Sequence, residues 1–511
     1  RGRVRVPYLA LNNPIIRQRH VNAILLSLFL RHRMKEGFQN LDSVGAFFEG
    51  DFVNGSAHFQ TLAKWLERDH DEICTQLAVF GEALGVNDAV VIEGWIEAYR
   101  TALEEAYTGH YRVAADYYLQ QIESAQLDRR ARKEARNREE RYEKLLDRLR
   151  KEELIDYLSN RGVLPSYSFP LHTVELMLPY ESRTEHLRLQ RDLSDAIREY
   201  APGSEVVADK RIWRSGSVVF FRDTVRDREY RICEVCNYLQ ISPEAGIPLT
   251  NQTNECPVCH SAPSKRRREV SRFVIPDGFR ADPKKSGQPA KQYVRVESNL
   301  MRSALIPGRA LTEEVLGPHV YYAYERDGEL LYVNEGVFGR GFEIPLVGGL
   351  AENVTDVRPV RVSLGHIQRT DTLHLRFVGA SSLNVPRPDD FSFWLSLMYA
   401  LIQGASHALQ IERRDISGVL YPRSEGQGWG QSIVLYDDVP GGAGHVQQIR
   451  DNFYLVLHEA NRTVHCQDCG PETSCYHCLR DYSNQTYHPL LKRGLVADFL
   501  DNLLAVWKEV R

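Results

Sequence analysis

The chain has 511 residues, too many for one hydrophobic core, which sets an expectation of about two to four domains. Apolar content of 43% and charged content of 26% exclude a disordered or fibrous chain, and a net charge of −4 excludes a global positive field. No apolar run reaches the length of a membrane span and the start has no signal-peptide pattern, so no membrane partner is expected.

The chain opens at Arg1 without a methionine, which predicts a fragment or a processed product. Asn13 and Pro14 offer an N-cap and a first helical residue for a helix running to Lys35, with Gly37 as its stop. Its segment VNAILLSLFL is apolar on nearly all sides and should be buried. Helical patterns continue to Ile122, so residues 1–125 read as a helical bundle whose aromatics, together with Cys74, belong to the core.

Residues 126–160 form a charged helical arm. Glu134–Arg138, Glu140–Lys144 and Asp147–Lys151 are spaced i, i+4, while Leu145, Leu146, Leu149 and Leu154 give the arm one apolar side. A solvated arm is one reading. The other is a phosphate-tracking surface on the basic half, built from Arg129, Arg130, Arg132 and Lys133.

Residues 161–290 read as an α+β segment, with a helix over 187–200, and carry the first metal signature. Cys233-x-x-Cys236 and Cys256-x-x-Cys259 are separated by nineteen residues, the spacing of a zinc ribbon, with Tyr230–Ile232 as the strand that enters it. His260 adjoins the second hook, but four thiolates already complete the shell. The basic cluster Lys265, Arg266, Arg267 and Arg268 follows directly and reads either as a grip on a phosphate backbone or as a solvated turn.

Residues 291–511 read as a β-rich segment passing into an α/β module. VYYAYERDGELLYVNEG predicts a hairpin turning at Asp327-Gly328, and FSFWLSLMYALIQGASHAL a buried helix. Two further strands lead through the Pro440–Gly444 turn into a helix over 445–460. That glycine-rich turn invites a phosphate-binding reading, but it lacks the Lys-Ser/Thr of a P-loop, and tight-turn packing is preferred. Asp437 and Asp438 could bind a cation but have no evident third partner.

The module is closed by Cys466-x-x-Cys469 and Cys475-x-x-Cys478, five residues apart. Two hooks this close make a tetrahedral thiolate site suited to zinc, with no coordination position left for water or substrate, so the metal is structural. Eight of the nine cysteines sit in such hooks, which argues for zinc in a reducing cytoplasm rather than redox-active or secreted disulfides. No P-loop, DEAD/DEAH segment, HExxH box or HxK pair is present, so the chain carries no catalytic motif.

The ordered segments NNPIIRQRHVNA, RGVLPSYSFP, AIREYAPGSEVV, YRICEVC…CPVC, IPDGF, YDDVPGGAG and CQDCG…CYHCLRDYSNQTYH resemble the C-terminal region of MrfA-type superfamily 2 DNA helicases, terminal zinc-binding domain included. The resemblance covers most of the chain and is weakest across the charged arm and the 320–336 region. It extends to the helicase-like proteins of bacterial anti-phage systems such as DISARM and Druantia. It implies a region downstream of two RecA-like motor domains, with ATP used only by those motors. Its expected partners are DNA, the motor domains of the same or another chain, and other defence-system subunits. A non-catalytic zinc- and DNA-binding subunit that partners a separate helicase is the other reading of the same motifs.

Overall fold

The computed structural model describes residues 14–37, 42–50, 58–83, 88–127, 132–165, 173–179, 187–221, 227–243, 245, 247–249, 255–262, 270–282, 284–289, 299–308, 311–345, 358–381, 383–426 and 428–510. Helix α1 (Pro14–Lys35) begins on its proline, and the chain turns at Gly37 with φ +93°. It is followed by α2 (Val44–Phe48), α3 (His58–Arg68), α4 (His70–Ala83) and α5 (Ala89–Glu104). A π-helical segment, Glu105–Tyr111, carries α5 into α6 (Arg112–Leu127), and α7 (Arg132–Lys151) and α8 (Leu154–Asn160) complete the bundle.

One core joins Val21, Leu25 and Phe29 of α1 to Phe47, Trp65, Trp95 and Tyr99. The C-terminal half of α7 shares it, because Tyr142 and Leu146 point inward while the Glu140–Lys144 (3.8 Å) and Asp147–Lys151 (2.7 Å) pairs face out. The charged helix is therefore amphipathic and docked along that half rather than solvated all round.

Among the described residues six strands form a first sheet: β1 (Thr173–Met177), β2 (Gln190–Asp192), β3 (Glu205–Ala208), β4 (Arg211–Val219), β8 (Gly278–Ala281) and β9 (Gln288–Pro289), in the order β2-β1-β8-β4-β3 with β9 beside β4. The helix expected over 187–200 is shorter. Residues 190–192 pair with β1, and α9 (Leu193–Glu199) starts only after Asp192, whose carboxylate accepts from the Ser194 amide at 2.8 Å.

Among the described residues the second sheet has ten strands: β5 (Asp227–Ile232), β6 (Leu239–Ile241), β7 (Ser271–Val274), β10 (Met301–Leu305), β11 (Glu314–Gly317), β12 (Val320–Asn334), β13 (Phe342–Ile344), β14 (Val360–Phe377), β15 (Ile416–Glu425) and β16 (Gly428–Asp437). The path β10-β12-β14-β7-β5-β6 puts strands from both sides of residue 290 in one sheet.

The hairpin expected at Asp327-Gly328 does not form. Residues 320–334 are one strand that pairs antiparallel with β14 on both sides of a bulge between Glu325 and Gly328. A bulge and a tight turn both call for Asp-Gly, and here the long partner strand decides between them. A Cβ at position 328 would stand 2.4 Å from the Thr372 side chain, so glycine is needed where the strands cross.

Against this sheet lies α10 (Phe391–Leu409), with α11 (His445–Asp451), α12 (Phe453–Val464) and α13 (Gly494–Val510) around it. The single helix expected over 445–460 is broken at Asn452 into α11 and α12. Helices α10 and α12 approach closely at Gly404, where a Cβ would meet Ala460 and Val456 backbone atoms at 2.6 Å. Leu397, Leu401, Val456, Leu457, Leu500 and Leu503 fill the space between sheet and helices, and each such buried side chain contributes about 1.5–3 kcal/mol. Among the described residues no helix is long and apolar enough to cross a membrane.

The same sheet largely covers His374, whose Nε2 lies 3.3 Å from Thr372 Oγ1 and 3.9 Å from the Glu325 carboxylate. Burial holds the imidazole down to about 4, outweighing the upward pull of Glu313. An unfolded histidine titrates near 6.5, so the folded state binds fewer protons between those values. Stability is thus full above pH ~6.5 and falls, by at most about 3 kcal/mol, as pH drops toward 4. Urea melts between pH 4 and 7 should show this slope in the wild type and a flatter one in His374→Gln.

Candidate metal centres

The terminal centre is built where α12 ends. Cys466 and Cys469 follow the helix directly, Gly470 and Pro471 reverse the chain, and Cys475 and Cys478 return beneath it. The sulfurs of Cys466 and Cys475 are 3.7 Å apart, and those of Cys469–Cys478 and Cys475–Cys478 are 3.8 Å apart. A tetrahedron with Zn–S arms of ~2.3 Å has edges of ~3.8 Å, whereas a disulfide would bring two sulfurs to ~2.05 Å. All nine cysteines are free thiols, and the four donors here lie within 4.8 Å of one another. The donor set and spacing fit a zinc ion with a closed shell.

Neighbouring groups fix this loop from outside. Arg493 donates from Nε (3.0 Å) and Nη2 (2.6 Å) to the Cys469 carbonyl and from Nη1 to the Val464 carbonyl (3.0 Å), tying the first hook to the end of α12. Arg413 donates to the carbonyls of Leu479 (3.1 Å) and Arg480 (3.3 Å), just past the second hook. Cys478 and Leu479 are fully buried in the core between α10, α12 and α13. The metal loop is therefore a part of that core.

The ribbon centre lies at the edge of the ten-stranded sheet. Cys233 and Cys236 join β5 to β6, and the sulfur pairs Cys233–Cys259 and Cys236–Cys256 are 3.6 and 3.5 Å apart. Both hooks have the same backbone form. The amide of Asn237 donates to the Cys233 carbonyl and that of His260 to the Cys256 carbonyl, each at 3.0 Å, and Asn237 (φ +64°) and His260 (φ +57°) are both left-handed. His260 is thus the turn residue of its knuckle, and the four cysteines form the cluster without it, as the sequence reading expects. Tyr238 and Trp429 pack over the site.

At the Pro440–Gly444 turn the amides that could cup an anion already hold one. Asp437, fully buried, accepts from Ala443 (2.5 Å), Gly444 (2.6 Å) and His445 (3.1 Å) at Oδ2 and from Val446 (2.9 Å) at Oδ1. The preferred reading of this turn as packing therefore holds. The same contacts commit both oxygens of Asp437, which removes it as a cation ligand. Arg19 from α1 reaches the turn from the other side, donating from Nη2 to the Pro440 carbonyl (3.2 Å) and from Nε to the Gly162 carbonyl (3.1 Å). Burial lowers this guanidinium to about 10. Neither role is visible in sequence, although an aspartate ending a strand before a glycine-rich turn is a usable signal for such a cap.

Of the residues expected to meet nucleic acid, Arg129, Arg130, Lys265, Arg266, Arg267 and Arg268 lie outside the described residues. Arg132 and Lys133 open α7, but their side chains lie outside the description.

Residues 397–479 match the family model of the MrfA Zn-binding domain, from within α10 to just past the second terminal hook. The chain is 23% identical, over a 578-residue alignment covering 98% of its length, to Druantia protein DruE of Escherichia coli (strain UMEA 4076-1). The chain spans only 30% of DruE. Among solved structures it is similar to the DUF1998 helicase MrfA bound to DNA (TM-score 0.34, 11% identity, 70% of this chain and 40% of that one). It is similar also to MrfA without DNA (TM-score 0.31, 11% identity, 66% and 38%).

Proposed function

We propose that this chain, with its MrfA Zn-binding domain, is the C-terminal, DNA-engaging region of an ATP-dependent DNA helicase or translocase that acts in bacterial anti-phage defence. The observation that carries the reading is the four-thiolate centre lying inside the matched domain, in a chain that aligns along nearly its whole length with part of DruE. RecA-like motor domains supply ATP hydrolysis, and this region supports them and shapes the DNA path in the cytoplasm, in contact with other defence subunits.

Both zinc sites are structural in this reading, because four protein thiolates leave a tetrahedral ion no free position for a reacting group. What the zinc supplies is rigidity. DNA is gripped by local basic segments, since the chain as a whole is slightly acidic.

The test is DNA-stimulated ATP turnover and strand separation by the native gene product. Turnover that persists in Cys475→Ser while unwinding is lost supports an accessory region coupled to a motor. Full unwinding with the zinc gone would refute it, and a native product that binds DNA without ATP turnover would make the chain a subunit serving a separate helicase. Changing Lys265, Arg266, Arg267 and Arg268 to glutamate should weaken DNA binding. The slope of log K against log salt should also become shallower by up to about 3–4, at ~0.9 per lost phosphate contact. An unchanged slope makes the cluster a plain surface turn.

A further inference from the structure

The ninth cysteine is not simply a core residue. Cys74 lies one helical turn after His70 on the same face of α4, and Glu93 comes across from the second turn of α5. His70 Nε2 is 2.7 Å from the Glu93 carboxylate, and the Cys74 sulfur is 3.7 Å from Nε2 and 3.8 Å from Nδ1. One donor atom from each of the three residues lies within 4.8 Å of the other two. The carboxylate of Asp71, itself fully exposed, lies 3.8 Å from Nδ1 on the other side of the ring.

We propose that His70, Cys74 and Glu93 bind a third divalent transition-metal ion of the zinc class. A thiolate and an imidazole select a borderline metal over magnesium or calcium, and the carboxylate completes a set common around zinc. The thiolate and carboxylate together balance the charge of a divalent cation. Nitrogen and oxygen ligands on arms of ~2.0–2.1 Å stand ~3.3 Å apart in a tetrahedron, so the His70–Glu93 contact must open slightly. Glu93, with its side chain 59% exposed, has room to do so. Binding forms three metal–ligand bonds and releases the Cys74 thiol proton to solvent, while His70 binds as the neutral imidazole and keeps its one ring proton on the nitrogen that faces away from the metal. Three protein donors leave one position for water, so this ion exchanges more readily than those in the four-thiolate centres. The inference rests on the bundle alone and is independent of the function proposed above.

The experiment counts metal. The full-length native protein is loaded with zinc, titrated with a chromophoric chelator, and analysed by plasma mass spectrometry beside Cys74→Ser and Glu93→Gln. The wild type should hold one more weakly bound zinc than Cys74→Ser, and Glu93→Gln should weaken that equivalent at least tenfold. In the cobalt form, the same equivalent should carry a single-thiolate charge-transfer band that Cys74→Ser lacks. If Cys74→Ser does not fold, Glu93→Gln decides, because its side chain lies at the surface. Equal metal number and affinity in wild type and Glu93→Gln would overturn the assignment and leave an ion pair beside a bystander thiol.

Discussion

Cys478→Ser should release one zinc and unfold the helices around the terminal centre, costing stability on the order of 10 kcal/mol, the scale of zinc-driven folding in small zinc peptides. The effect is large because the metal loop is continuous with the core. Cys478 is fully buried among α10, α12 and α13, and the first hook is locked to α12 by three Arg493 hydrogen bonds. Without the ion, the three remaining sulfurs lose the bonds that hold the two hooks together, and no disulfide pairing is preset by the 3.7–3.8 Å sulfur spacings. Zinc content and limited proteolysis of residues 445–510 are the measurements. A variant that keeps its zinc and its protease resistance would show that the fourth thiolate is dispensable. Cys256→Ser should damage less of the molecule, since the ribbon occupies only the β5–β6 edge of the ten-stranded sheet.

The second large effect is expected from Asp437→Ala. It strands four amide donors, those of residues 443–446, in the interior at roughly 1–3 kcal/mol each, a total on the order of 5 kcal/mol once relaxation is allowed. Asp437→Asn keeps one oxygen acceptor and should lie between wild type and alanine in denaturant midpoint. The emptied cup also becomes a helix-terminus anion site, so sulfate should raise the melting temperature of Asp437→Ala more than that of wild type. A turn that bound phosphate in the native protein would behave the other way. Its affinity for anions would rest on the amides in the wild type, and removing Asp437 would cost little.

Sequence alone reached the metal centres because a Cys-x-x-Cys hook is a local object. Three-residue spacing sets both sulfurs on one ion whatever the rest of the chain does. The left-handed Asn237 and His260 that close the ribbon hooks are part of the same local unit. The long buried helix, residues 391–409, was equally legible, since its apolar run closes its own hydrogen bonds. So were the strands of residues 416–437, which flank a short Gly-rich turn.

Where the sequence misled, a distant partner had the deciding contact. Asp327-Gly328 satisfies both a hairpin and a bulge, and only β14 running alongside residues 320–334 selects the bulge. Residues 190–192 have helical neighbours but pair with β1. Helix α7, by contrast, docks on the apolar side that its leucines mark in sequence, and only the addition of the Tyr142 ring to that face is not read from it.

What the sequence determined by itself was the set of self-contained pieces: eight zinc cysteines in two sites, a helical N-terminal part, and an α/β end. Tertiary structure alone decided how those pieces share groups. It brings Arg19 to Pro440 across 421 positions of chain and sets Glu93 against His70 and Cys74. The reason is one of range. Spacing along the chain fixes geometry only over a turn or a hook, whereas a buried charge takes whichever partner folding brings within hydrogen-bond reach.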